Sequence, residues 1–296
     1  KLFSKEINEA ISYFMENNPK TFFFGEDIKD PYGGAFGISR GLSTKFPDRV
    51  INTPISEAGI VGMCHGISSE GFNIFLEIMF GDFILLAMDQ VHNNMSKVIA
   101  LNKKGNCAPL VIRTPMGGYR GYGPTHSQTL TRFLVGSDNI EVVMASRFVS
   151  PKEVFDQVFN KRIPTFYIED KMTYLEESAG ELQMTQNMFY IHRIGTPFSD
   201  VFFECSIKKS KVLVLCVGGA LRLALSVAKK VFIENEIATD IFQINSIWPM
   251  NTSEIREKCS DYQKLIFVEE GWTHFGLSSE IIASVFECSK SGIIPK

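Results

Sequence analysis

Apolar and polar positions along the chain follow two periods, and the switches between them mark out the elements. Residues 2–16 place Leu2, Ile7, Ile11 and Phe14 at near-helical spacing, and Asn17-Asn18-Pro19 stops that helix. The aromatic run 21–25 reads as a short buried strand with Glu26-Asp27 at its end. A loop carrying Pro31, Gly33, Gly34 and Gly37 leads to a short helix over 38–46 and a strand over 49–52. The stretch 53–71, TPISEAGIVGMCHGISSEG, is predicted to be a helix. Thr53 and Pro54 suit its N-cap and first turn, and Gly59, Gly62 and Gly66 line one face where another backbone or a ligand can come close. A strand over 72–80 and a single long helix over 82–103 follow. That helix has an apolar face of Phe83, Leu86, Met88, Val91, Met95, Val98 and Ile99, and a polar face of Asp89, Asn93, Asn94 and Lys97.

A strand over 109–115 runs into a glycine-rich loop over 116–134, then come a strand at 140–146, a helix at 150–160 and a strand at 164–170. Beyond 171 the periodicity weakens. A second run begins at 211–219, with helix 220–235, strand 239–247, helix 252–260, strand 264–270 and helix 276–288. This alternation predicts an α/β fold. A parallel-sheet domain spans 1–175, a linker with a short hairpin near 187–194 spans 176–208, and a smaller α/β domain spans 209–296.

Composition narrows the function. With 45% hydrophobic and 21% charged residues and a formal net charge of -3, the chain lacks the basic surplus of a nucleic-acid binder. It also lacks a run of about 18 apolar residues that could span a bilayer. Cys64, Cys107, Cys205, Cys216, Cys259 and Cys288 form no C-x-x-C pair, which suits reduced core thiols in a reducing compartment such as the cytoplasm. The histidines show no metal-ligand spacing. The N-terminus at Lys1 carries no signal or transit pattern, although a removed leader would place the chain in a mitochondrial matrix or plastid.

Ligands of open α/β sheets bind beyond the carboxyl ends of the strands. Taking the strand ends in turn collects Glu26, Glu57, Phe83, His126 and Glu270. His126 follows Gly117, Gly118, Gly121 and Gly123, a loop able to turn backbone N–H groups towards an anion. It lacks the Gly-Lys-Ser/Thr ending of a P-loop. Gly218-Gly219 opens a strand-to-helix turn without a dinucleotide fingerprint. On these residues alone, Glu57 is equally a first-turn acid complementing a helix dipole, and no reaction is specified.

Longer segments carry a resemblance. FGEDI at 24–28, GGAFGISRGL at 33–42, TPISEAGIVG at 53–62, LEIMFGDFILLAMDQV at 76–91, PLVIRTPMGG at 109–118, HSQ at 126–128, IWPMN at 247–251 and VEEGWTHFG at 268–276 are collinear with one family. The chain resembles the β subunit of the thiamine-diphosphate-dependent 2-oxo acid dehydrogenases, within the transketolase-like superfamily. The resemblance implies a pyrimidine-binding domain followed by a smaller transketolase-type C-terminal domain. It implies that Glu57 hydrogen-bonds the aminopyrimidine and promotes the tautomer that activates the cofactor. Phe83 would stack on the pyrimidine, with Met79, Glu77 and Glu26 lining that pocket, and His126 would assist acyl transfer near the reactive carbon.

No Gly-Asp-Gly…Asn motif for a metal-bound diphosphate is present. The family keeps that motif on its α subunit, so thiamine diphosphate and Mg2+ would be held mainly by an α partner, in an α2β2 heterotetramer inactive without it. A lipoyl acyltransferase would take the acyl group from a small 2-oxo acid. Residues 160–163, NKRI, carry Lys161 where the family often has an acid in a potassium loop. Asn245 and Trp248 replace the family's usual arginines. Two other functions stay open: a carboligase or transketolase-like transferase with the same cofactor, and a non-catalytic structural partner.

Overall fold

The computed structural model describes residues 1–101, 108–179, 185–186, 188–195, 198–272 and 274–287. The first half alternates as α1 (Phe3–Asn17), β1 (Thr21–Gly25), α2 (Leu42–Lys45), β2 (Val50–Asn52), α3 (Glu57–Ser69), β3 (Asn73–Glu77), α4 (Ser96–Leu101), β4 (Leu110–Met116), β5 (Glu141–Met144), α5 (Pro151–Lys161) and β6 (Thr165–Asp170). These strands form a sheet of order β5-β6-β4-β3-β1-β2, parallel throughout. Its strands β4, β5 and β6 are buried on both faces, as parallel sheets require, while the edge strand β2 is partly open. Phe75 faces α1 and α5, meeting Phe155 and Phe159 edge-on at 5.1 Å. Its neighbours Ile74 and Leu76 join the apolar cluster that holds Ile60, Val61 and Cys64 of α3.

The second half contains β7 (Thr185–Gln186), β8 (Phe189–Ile194), β9 (Asp200–Cys205), β10 (Val212–Val217), α6 (Ala220–Asn235), β11 (Thr239–Ile244), β12 (Ser246–Trp248), α7 (Thr252–Ser260), β13 (Lys264–Val268) and α8 (Leu277–Glu287). Its mixed sheet has the order β13-β10-β11-β9-β8-β7, with β13, β10 and β11 parallel and the remaining pairs antiparallel. The expected α/β class, with a largely parallel first sheet and a smaller second domain, is what the chain adopts.

Three local expectations give way. The stretch expected to be a linker over 176–208 holds β8 and β9, each of six residues, which complete the second sheet. Only alternate positions of β8 are buried, Phe189 and Ile191, so its apolar signal is half that of a core strand. Gly180 and Pro197, which marked the linker, lie outside the described residues, as do Cys107 and Cys288.

The single helix expected over 82–103 is instead a 3-10 turn, Gly81–Ala87, a π turn, Gln90–Met95, and then α4, while 102–103 lie outside the described residues. A glycine and a tight contact at its start favour the narrower winding. A Cβ on Gly81 would lie 2.3 Å from Met116 Cγ, and π turns inside helices cluster at functional sites. The strand expected over 239–247 splits in two. β11 stays in the second sheet, while β12 crosses to pair antiparallel with β5 of the first. Asp200 stabilises that bend by accepting the N–H groups of Asn245 (2.7 Å) and Ser246 (2.9 Å).

Candidate active site

β1 and β2 end side by side, Gly25 opposite Asn52, and each hands its chain to a turn bearing a carboxylate. Glu26 leaves β1, and Glu57 is the first residue of α3, behind Ser56 at the N-cap. Both are buried, at 5% and 6% exposure. The Ser56 N–H bonds to the Glu26 carboxylate, and the Thr53 N–H closes the turn on Gly25 O at 3.0 Å. Burial, and then the Glu57 charge beside it, push the Glu26 carboxyl above its ordinary range, against the Ser56 bond. Glu26 Oε1 and Thr53 Oγ1 are buried without a partner among the described residues. A buried carboxylate oxygen with no donor costs about 1–3 kcal/mol or more, so this corner suits a hydrogen-bonding group from another molecule.

α3 packs against the 3-10 turn Gly81–Ala87, which packs in turn on a second one, Pro124–His126. Phe83 and His126 are brought together there. The imidazole stands edge-on to Phe80 at 4.8 Å and to Phe83 at 5.3 Å, and Thr125 Oγ1 bonds its Nδ1 at 2.9 Å. Phe83, His126 and Met79 are each half-buried. Sequence reasoning thus named residues that the fold places on neighbouring turns at the C-terminal edge of the parallel sheet.

Glu77 is held differently. Its carboxylate lies inside the sheet, with Oε2 on Arg113 Nη1 at 2.8 Å. Arg113 reaches Glu169 with two more bonds, at 2.7 and 2.8 Å, and Tyr174 donates to the same Glu169 carboxylate at 2.5 Å. Arg113 is 1% exposed, so Glu77 is half of a buried charge cluster that ties β3 to β4 and β6.

The loop bearing His126 is tied at several points. Lys171, directly after β6 and fully buried, donates from Nζ to Gly117 O at 2.8 Å and also to His126 O. Glu270 Oε1 accepts the Gly118 N–H at 2.6 Å. Asp82 Oδ1 accepts from Gln128 Nε2 at 2.9 Å, and its Oδ2 is buried and unpartnered among the described residues. Burial pushes the Lys171 ammonium below its ordinary range, which Asp82 opposes. Burial raises the Glu270 carboxyl against the Gly118 bond. Gly117 sits at φ +90°, and a Cβ there would lie 2.7 Å from Asp170 Oδ2. Lys171 escaped sequence reasoning, and Asp82 stood out only as the neighbour of Phe83. For Lys171 the hint was the charged run Glu169-Asp170-Lys171 at the end of a buried strand.

The other singled-out positions have plain surroundings. Lys161 Nζ is paired with Glu141 Oε1 at 2.7 Å, so the loop at 160–163 carries its own cation. Asn245 Nδ2 bonds Ser199 O, and Trp248 Nε1 bonds Ser137 O, both at 2.8 Å, giving the β12 crossing contacts of its own. On α3, Gly59, Met63 and Gly66 share an exposed face, and a Cβ on Gly66 would meet nothing within 4 Å. Gly62 is approached by Gln90, whose Oε1 would lie 2.7 Å from a Cβ there, and Gly59 by Ser56 Oγ at 2.9 Å, so among the three glycines only the approach at Gly66 is not made by a described residue. Among the described residues no His, Cys, Asp and Glu side chains are grouped to hold a metal ion, and no helix is long and apolar enough to cross a membrane.

Comparison with known proteins bears on the same segments. Residues 2–176 match the transketolase pyrimidine-binding domain, and residues 204–292 match the transketolase C-terminal domain. The β-1 subunit of the mitochondrial pyruvate dehydrogenase E1 component of Arabidopsis thaliana is 28% identical over 288 residues, covering 96% of this chain and 76% of that one. The β subunit of acetoin:2,6-dichlorophenolindophenol oxidoreductase of Cupriavidus necator is 28% identical over 303 residues, covering 97% and 85%. Among solved structures, the inactive β4 tetramer of a split-gene transketolase superposes with a TM-score of 0.71 at 16% identity, over 96% of this chain and 84% of that one.

Proposed function

Because the chain belongs to the family of the transketolase pyrimidine-binding domain, we propose that it is the β subunit of a thiamine-diphosphate-dependent 2-oxo acid dehydrogenase. With an α subunit it decarboxylates a 2-oxo acid and passes the acyl group to a lipoyl carrier. The observation that carries this assignment is the buried pair Glu26 and Glu57, with an unpartnered oxygen on Glu26 beside the first turn of α3. Two adjoining carboxylates in a dry corner fit an aminopyrimidine, which offers N–H donors and a basic ring nitrogen.

When bound, thiamine diphosphate would supply a nucleophilic carbon that adds to the substrate carbonyl and a cationic ring that takes up the electron pair left by loss of carbon dioxide. The chain's own residues prepare the place. Glu57 in the first turn of α3 would hydrogen-bond the pyrimidine, and Glu26 at the end of β1 would support it. Phe83 and Met79 give the ring an apolar wall that excludes water. His126, on the facing turn, is placed to move a proton during acyl transfer. The diphosphate and Mg2+ belong to the α subunit, which the open position at Gly66 on α3 leaves room to approach. The buried free thiols Cys64, Cys205, Cys216 and Cys259 fit a reducing compartment such as the cytoplasm.

A second reaction keeps the same site. The equal similarity to the acetoin oxidoreductase subunit supports cleavage of a ketol such as acetoin in place of a 2-oxo acid. To separate them, the chain is purified with its α partner and given thiamine diphosphate and Mg2+. A panel of 2-oxo acids, acetoin and aldehydes is then tested with an artificial electron acceptor, and the products are identified by mass spectrometry. Carbon dioxide release from one 2-oxo acid supports the dehydrogenase. Turnover of acetoin alone supports the second reaction, and no cofactor-dependent turnover refutes both.

A further inference from the structure

We propose that Lys171 is the positioning residue for His126, clamping both ends of the glycine-rich loop with one buried ammonium. The inference rests on the assignment of His126 to the active site. The loop from Gly117 to His126 contains four glycines, with positive φ at Gly117, Gly121 and Gly123. Glycine-rich backbone has the most conformational freedom to lose on ordering. The bonds the backbone makes for itself are long, His126 N–H to Gly123 O at 3.4 Å and Gly117 N–H to Gln128 O at 3.4 Å. Within the loop Tyr119 is 83% exposed, while Tyr122 packs edge-on against Phe36 and Phe80 at 5.6 and 5.4 Å. Charge-assisted bonds are about twice as strong as neutral ones. Arg120 Nη1 reaches Lys171 O at 3.4 Å, Glu270 accepts the Gly118 N–H, and the two bonds from the Lys171 ammonium fall on the ends of the loop, one of them on His126 itself.

The surroundings of Lys171 mark a clamp rather than an ion pair. Among the described residues no carboxylate lies within ion-pair distance of its Nζ, although Asp82, Glu270 and Asp170 act on it electrostatically. Its other neighbours are the faces of Phe80 at 5.3 Å and Tyr122 at 5.9 Å. An apolar side chain of the same length would fill that space at lower desolvation cost. What it could not do is bridge Gly117 O and His126 O. Phe80 also touches the imidazole edge-on, so one ring contacts both the cation and His126.

The test uses Lys171→Met, which keeps length and apolar bulk, in the full chain. Hydrogen exchange in peptides covering 117–128 should speed up at least tenfold, while α1, α5 and β3 keep their protection. The Cε1–H signal of the His126 imidazole should shift or broaden. In the complex with the α partner, His126→Ala combined with Lys171→Met should lose no more activity than His126→Ala alone, because the lysine acts through the histidine. Unchanged exchange over 117–128 would overturn the proposal. So would a loss of protection across the whole first domain, or losses that add in the double variant. If the wild-type complex shows no cofactor-dependent turnover, the proposed function fails, and the exchange experiment alone still decides the clamp.

Discussion

At the scale of single residues, the site rests on side chains whose chemistry is visible in their types but whose partners are not. Glu57 was legible as an acid opening a helix, and the structure keeps it there, buried in the first turn of α3. Nothing in the local sequence says that Glu57 acts electrostatically on Glu26, because β1 and β2 bring the two turns together by ending in register. Phe83→Ala should remove the wall of the ring pocket and weaken thiamine diphosphate binding to the complex roughly tenfold, in line with about 1–3 kcal/mol for an aromatic stacked on a base. Titration calorimetry checks it. Arg113→Met tests the opposite kind of residue. It leaves Glu77 and Glu169 buried without their cation, so stability should fall by about 3–5 kcal/mol in denaturant unfolding, with no specific loss of cofactor affinity in whatever fraction folds. Arg113 sits mid-strand in an apolar run, where sequence alone suggests no ion pair. Its partners lie 36 and 56 positions away.

At the scale of elements, strongly periodic segments were readable and winding was not. The bounds of α6 and α7 are those the apolar spacing predicts. The segment 81–101 has helical periodicity, yet it winds as 3-10, π and then α, because Gly81 must pass Met116 and Phe83 must turn towards His126. β8 and β9 lay in a stretch read as linker, and their buried side chains Phe189, Ile191, Val201 and Phe203 join the cluster of α1, α5 and α6, with Phe203 edge-on to Phe148 at 5.0 Å. The glycines of α3 and of the His126 loop give contrasting predictions. Gly66→Ala, on an open helical face, should stabilise the isolated chain by up to about 1 kcal/mol. It should also weaken copurification with the α partner, if that partner approaches there. Gly117→Ala forces a side chain into φ +90° against the Asp170 carboxylate. It should cost about 1–3 kcal/mol and free the His126 loop to proteolysis.

At the scale of the whole molecule, the two sheets are joined rather than strung together. One apolar cluster runs from α1 and α5 through β9 to α6, and β12 leaves the second sheet to pair with the first. Asp200 sits at that crossing, and burial raises its carboxyl to about 7 against the bonds from Ser246 and Asn245. A raised acid binds its proton more tightly in the folded state, so its contribution to stability is lost as pH rises from about 4 through 7. Wild-type melting temperature should therefore fall between pH 5 and 8. Asp200→Asn, whose amide oxygen can still accept both N–H groups, should flatten that slope and be the more stable protein at pH 8. The crossing was invisible in sequence, because 239–247, TDIFQINSI, reads as one unbroken strand with no glycine or proline to mark a bend. The resemblance across the chain named the family, while the half of the site that holds the diphosphate lies on another chain. Turnover by the assembled complex with Glu57→Gln therefore tests the proposed function most directly, measured beside wild type at saturating thiamine diphosphate and Mg2+. A fall in kcat of at least a hundredfold, with the complex still assembled, is the result predicted. Activity within a few-fold of wild type would contradict it.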